Sequence, residues 1–159
     1  MDIFDMAIDL ELSGEQFYRS LAQEAKSPGL KSIFNMLADD ETRHREIFEK
    51  MSDMGFSGKI ETKIIKNANE VFKSVGRDEL LGEKDQVEVY KKAGEIEKKS
   101  IDYYKELFDL VKDDTSKNTI LKIIEEEKKH HTLLEFLIEH VSRPETWVED
   151  AEFYLKENY

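Results

Sequence analysis

The chain has 159 residues, no cysteine, two prolines and a formal charge of −12, enough length for one domain with its own core. The missing thiols exclude disulfides, thiolate catalysis, iron–sulfur clusters and Cys-ligated metal, and the acidity argues against nucleic acid or anionic membrane as partners. No apolar run approaches the roughly 20 residues of a membrane span, and the acidic start MDIFDMAIDLE lacks a signal peptide's basic region, so a cytoplasmic location is expected.

Glu, Lys, Leu and Ile dominate while Gly and Pro are scarce, which is helical composition. Four segments carry apolar residues at helical spacing. The first stripe is Phe4, Ala7, Glu11, Gly14, Tyr18, Leu21 and Ala25. Ser27-Pro28-Gly29 ends that helix, with Ser27 suited to cap the next one and Pro28 to its first turn. The second stripe is Leu30, Ile33, Leu37, Glu41, His44, Phe48 and Met51, closed by Gly55. The thirty residues 55–84 hold four glycines and, in ETKIIKNANEVFK, a candidate short helix. So long a loop is unusual inside a domain, and a crossover running the length of the bundle accounts for it.

The third helix is expected to begin near Asp85, where DQVE offers an Asp-x-x-Glu capping pattern. Its stripe is Tyr90, Ala93, Glu97, Ser100, Tyr104, Leu107 and Val111. DDTSKN reads as a turn, and the fourth stripe is Ile120, Ile123, Glu127, His130, Leu134, Leu137 and Val141. The segment after Pro144 reads as a C-terminal helix bearing Trp147, Phe153 and Tyr154. The expected fold is an all-α four-helix bundle over 1–142 with a long crossover between helices 2 and 3, followed by a helical extension over 143–159.

The two halves, about 3–54 and 86–142, are one unit repeated. A single offset of 86 (97 − 11) lays Glu11 on Glu97, Tyr18 on Tyr104, Glu41 on Glu127 and His44 on His130. Two similar hairpins packed about a pseudo-twofold axis bring such equivalent residues together.

Each stripe is apolar except at its middle, where Glu11, Glu41 with His44, Glu97, and Glu127 with His130 stand. Four carboxylates buried together without partners would be prohibitive. Protonation could neutralise some; a pair of divalent metal ions does so more completely. Residues i and i+3 share a helix face, so each Glu-x-x-His can reach one metal. Carboxylate oxygen with imidazole nitrogen suits iron or manganese, and zinc could enter.

One Glu from each of two helices with Glu-x-x-His from the other two is a di-metal bundle pattern. Over residues 3–141 the sequence resembles the rubrerythrin family of the ferritin-like di-iron carboxylate superfamily. The matching stretches are ELSGEQFY with Glu11 and Tyr18, the Glu41/His44 motif, EKKSIDYY with Glu97 and Tyr104, and the Glu127/His130 motif. The resemblance implies two iron ions, bridging roles for Glu41 and Glu127, and terminal roles for Glu11 and Glu97. Asp40 and Glu126, four residues before the histidines, either are solvated acids or accept a hydrogen bond from the opposite hairpin's imidazole, Asp40 from His130 and Glu126 from His44. Tyr18 and Tyr104 either pack the core or place a phenol near the metals. His131 and His140 are expected outside the site, and Glu15 and Glu95 are less well placed than Glu11 and Glu97.

The sequence departs from peroxide-reducing rubrerythrins in two respects. A seventh carboxylate, one turn after the third-helix Glu, is replaced by Ser100, whose repeat mate is Gly14, and small residues there could leave room for O2 or peroxide. These 159 residues hold no cysteine for a Cys-rich rubredoxin domain, so electrons are expected from another protein, such as a rubredoxin-like donor, or from a small reductant. Three functions follow: reduction of H2O2 or O2 in oxidative-stress defence, ferroxidation or other iron handling, and a non-enzymatic metal-stabilised interaction module. The aromatic tail and the resemblance favour a homodimer.

Overall fold

The computed structural model describes residues 3–25, 27–53 and 86–140. The crossover 55–84, Asp85, the His140 side chain, Val141 and the C-terminal extension with Trp147, Phe153 and Tyr154 lie outside the described residues.

Four helices follow in order: α1 (Ile3–Glu24), α2 (Pro28–Asp53), α3 (Gln86–Leu110) and α4 (Asp114–His140). At 1.5 Å per residue each is roughly 33–40 Å long. α1 with α2, and α3 with α4, form tight antiparallel hairpins, because connections of three residues leave no other packing. Ser27 Oγ accepts from the Leu30 amide at 3.1 Å, capping α2. DDTSKN is not a turn as a whole. Asp113 Oδ2 accepts from the Ser116 amide at 2.9 Å, and that cap starts α4 at Asp114, drawing Thr115–Asn118 into the helix.

The hairpins meet through long side chains. Tyr18 reaches Glu97 and Tyr104 reaches Glu11, so α1 and α3 run antiparallel; His44 reaches Glu127 and His130 reaches Glu41, so α2 and α4 do too. These contacts exchange under the offset of 86, which gives the sequence repeat a pseudo-twofold relation in space.

Each helix buries a second row beside its expected stripe. Leu10, Phe17 and Ala22 on α1, and Ile96 and Tyr103 on α3, are buried one position away from the stripe residues. A bundle helix faces both the axis and its hairpin neighbour, so its apolar face is wider than one a/d seam. Aromatics flank the polar centre: Phe48 lies 6.2 Å from Phe4 and 5.1 Å from Tyr104, and Phe34 packs 5.7 Å from Tyr90. No helix among the described residues is long and apolar enough to cross a membrane.

Candidate metal centre

Halfway along the bundle the apolar stripes give way to six ionisable side chains. Glu11, Glu41, Glu97 and Glu127 are at most 4% exposed, and His44 and His130 are fully buried. Water therefore cannot neutralise them, and they must be balanced by one another, by protons or by a cation.

Both imidazoles have the same orientation. His44 Nδ1 points inward, 2.9 Å from Glu127 Oε1 and 3.5 Å from Glu11 Oε2, while Nε2 contacts Glu126 Oε2 on the outside. His130 Nδ1 lies 3.1 Å from Glu41 Oε1, 3.6 Å from Glu127 Oε2 and 3.7 Å from Glu97 Oε1, and its Nε2 lies 2.9 Å from Asp40 Oδ2. The ring centroids are 6.1 Å apart. An acid at Nε2 favours a proton there, so the neutral imidazole would present its Nδ1 lone pair to the four carboxylates.

The tyrosines cross between hairpins. Tyr18 donates to Glu97 Oε1 and Tyr104 to Glu11 Oε1, each at 2.5 Å, and both rings are fully buried. They serve as core packing and as partners of carboxylates at once.

The donor atoms fall into two sets of four, each within 4.8 Å of one another: Glu11, Glu41, His44 and Glu127, and Glu41, Glu97, Glu127 and His130. Glu41 and Glu127 belong to both. Three carboxylate oxygens of the cluster, Glu11 Oε2, Glu41 Oε1 and Glu127 Oε2, accept no hydrogen bond although fully buried. Buried oxygens without donors, beside imidazole lone pairs, fit a cation.

Without a cation, protons occupy the shared positions. Burial, and then repulsion by neighbouring carboxylates, pushes Glu41 and Glu127 well above the ordinary range. Burial also raises Glu11 and Glu97, but the facing histidines and hydrogen bonds outweigh it and hold both below the ordinary value, Glu97 at about 2. Burial disfavours the charged imidazoles, yet the surrounding carboxylates lift His44 and His130 well above 6.5.

Sequence reasoning missed Arg43. Its guanidinium bridges the two outer acids, with Nη2 2.7 Å from Glu126 Oε2 and 3.2 Å from Asp40 Oδ1. The available signal was a cation immediately before each motif histidine, Arg43 and Lys129. Glu15 pairs with Arg45 at 3.2 Å, Glu95 is exposed, and His131 lies 3.8 Å from Glu135, so none joins the cluster. The space over Gly14 is not left open, because the Glu41 carboxylate occupies it. Ser100 turns its hydroxyl back to Ile96 O at 3.0 Å.

Such a bundle, with carboxylates and histidines converging at mid-height, has a ferritin-like fold. A protein of Thermotoga maritima described as ferritin-like and diiron-carboxylate has a crystal structure similar to this chain, at 31% identity and a TM-score of 0.69, covering 89% of this chain and 97% of that one. A hypothetical protein from Pyrococcus furiosus shares the fold at 24% identity and a TM-score of 0.70, with 87% of each chain covered. The chain belongs to the rubrerythrin family, whose model matches residues 2–138. No curated protein matches it.

Proposed function

We propose that the cluster holds two iron ions and that the protein is a non-haem oxidoreductase reducing peroxide or O2 in oxidative-stress defence. One observation carries this reading: two ligand sets of oxygen and nitrogen share Glu41 and Glu127. Shared carboxylates are what a bridged metal pair needs. Glu11 and His44 complete one position, and Glu97 and His130 the other. Manganese or zinc could bind the same donors.

Ferrous ions bound there would supply the two electrons of H2O2 + 2e⁻ + 2H⁺ → 2H2O, and an external donor such as a rubredoxin-like protein would replace them. The chain's residues set the geometry. Asp40 and Glu126 fix each imidazole with its proton on Nε2 and its lone pair inward. Tyr18 and Tyr104 orient Glu97 and Glu11 by donating to one oxygen each, leaving the other toward the cluster. The flanking aromatics Phe4, Phe48 and Tyr104 keep bulk water from one end. A cytoplasmic homodimer belongs to the same reading.

The test is anaerobic reconstitution with Fe(II), elemental analysis, and peroxide consumption with a supplied reductant, beside Glu41→Ala/Glu127→Ala. About two irons per chain, lost in the variant, with peroxide turnover in the wild type, is the expected result. Absence of bound iron would overturn the proposal. Iron oxidation by O2 without peroxide turnover would move the assignment to iron handling, and a redox-silent loaded protein would move it to a metal-stabilised interaction module.

A further inference from the structure

Around the cluster the tyrosine–carboxylate and histidine–carboxylate contacts between hairpins pair under the offset of 86, but the space beside the two shared carboxylates differs. A Cβ built on Gly14 would lie 2.7 Å from Glu41 Oε2, 3.3 Å from its Cδ and 3.5 Å from its Cγ. The first distance is shorter than real Cβ contacts, so in its present place the Glu41 carboxylate rests on bare α1 backbone and would have to shift to admit a side chain at 14. The repeat mate of Gly14 is Ser100, which is buried and carries a Cβ and a hydroxyl bonded to Ile96 O. The helix that stands to Glu127 as α1 stands to Glu41 therefore has a side chain where α1 has none.

Mid-helix glycine is otherwise a disadvantage, since alanine there costs the chain less entropy. Gly94 in α3 provides the comparison. Its added Cβ would meet only His131, at 3.8 Å, an ordinary contact. Of these two buried glycines, then, Gly14 alone could take alanine only if a cluster residue moved.

We infer that Gly14 is a positioning residue: it sets where the Glu41 carboxylate sits against α1 and thereby makes the two metal positions inequivalent. The second clause rests on the di-metal reading; the first does not. Alanine at 14 would push Glu41 Oε2 away from α1 and toward the opposite hairpin. That displacement disturbs both donor sets to which Glu41 belongs, whereas a change at Gly94 disturbs neither.

The experiment compares Gly14→Ala, Gly94→Ala, Glu41→Ala, and Gly14→Ala combined with Glu41→Ala. In the metal-free protein Gly94→Ala should raise the melting temperature. Gly14→Ala should raise it less or lower it, and should recover the full gain when Glu41 is already alanine, since the coupled pair is then broken. Equal gains from Gly14→Ala in both backgrounds would overturn the inference. Co(II) titration followed by its visible absorption reads the metal clause. Gly14→Ala should weaken at least one of the two equivalents by about 10-fold or more and alter the spectrum, while Gly94→Ala changes neither. A Gly14→Ala isotherm and spectrum identical to wild type would overturn that clause. A wild type that takes up no Co(II) would count against the di-metal reading itself, and the melting comparison would still decide whether Gly14 positions Glu41.

Discussion

Tyr18→Phe removes one oxygen from the core and keeps the ring. The ring is fully buried and packs edge-on to Phe17 at a centroid distance of 5.3 Å, a contact phenylalanine preserves. What disappears is a 2.5 Å hydrogen bond to Glu97 Oε1. Glu97 is 2% exposed, so water cannot take the place of the phenol. Its carboxyl is held at about 2 against its burial by its neighbours Glu127, His130 and Tyr18, of which Tyr18 donates a hydrogen bond to it. A hydrogen bond to a charged acceptor contributes about 1.5–3 kcal/mol, and because the acceptor stays buried the loss falls within that range. We expect Tyr18→Phe to destabilise the metal-free protein by about 2 kcal/mol, or about 4–8 °C in melting temperature for a chain of this size. Urea unfolding measures it: the midpoint should fall with the slope unchanged, because the surface exposed on unfolding is the same. Tyr104→Phe should cost a similar amount, since Tyr104 donates to Glu11 at the same 2.5 Å. A change within about 0.5 kcal/mol for either variant would refute the assignment of these phenols as partners the carboxylates need.

Asp40→Ala and Glu126→Ala should each weaken divalent metal binding by about 10–100-fold, measured by Co(II) or Fe(II) titration, because each frees an imidazole to rotate; wild-type affinity would show that the outer acids are only surface charge. Metal-free stability should fall as pH rises through neutrality. Glu41 and Glu127 are raised above 4.5 and His44 and His130 above 6.5, so the folded state holds more protons than the unfolded one, and the stability present below those values is lost as pH climbs through the folded values. Glu126 and Glu97, both lowered to about 2, act in the opposite sense only in acid, where their contribution is lost as pH falls. Melting of chelator-treated protein from about pH 5 to 8 checks this, with Glu41→Gln/Glu127→Gln expected to flatten the slope and a flat wild-type profile counting against it. Metal uptake near pH 6 should release about four protons per two divalent ions, read by calorimetry in buffers of different ionisation enthalpy; release near zero would mean that the cluster is already ionised when metal-free.

How legible this was depended on which constraint each residue answers to. The hairpins and the polar centre were readable because helical spacing forces Glu11, Glu41, His44, Glu97, Glu127 and His130 onto buried stripes, and the offset of 86 pairs them. The pairing of each histidine with the outer acid of the other hairpin was readable as one of two options, since a residue four before the histidine lies on the same helix face. The second buried row, Leu10 and Phe17 with their mates Ile96 and Tyr103, was not drawn from the a/d seam, although those residues sit beside the stripe at the same offset of 86. The contacts of Arg43 and the crowding at Gly14 could not be read, although a cation before each motif histidine was visible. Both depend on distances across helices: one guanidinium spanning two acids on different hairpins, and a carboxylate lying within a missing Cβ. The start of α4 was misplaced because Asp, Thr, Ser and Asn favour turns and N-caps alike, and only the bond from Ser116 to Asp113 decides between them.

Charge balance explains how one geometry can serve with and without metal. The directions of the shifts favour, without metal, ionised Glu11 and Glu97, neutral Glu41 and Glu127 and charged imidazoles, an arrangement in which the six side chains sum to zero (−2 + 2). With two divalent ions, four ionised carboxylates and neutral imidazoles, the sum is again zero (−4 + 4). On the di-metal proposal, four protons and two divalent ions would thus exchange within the same buried volume. Neither state leaves a net charge in the low-dielectric centre, where an uncompensated ion would cost several kcal/mol. Burial and then the facing carboxylates raise Glu41 and Glu127, and the same crowding places these two residues in both donor sets.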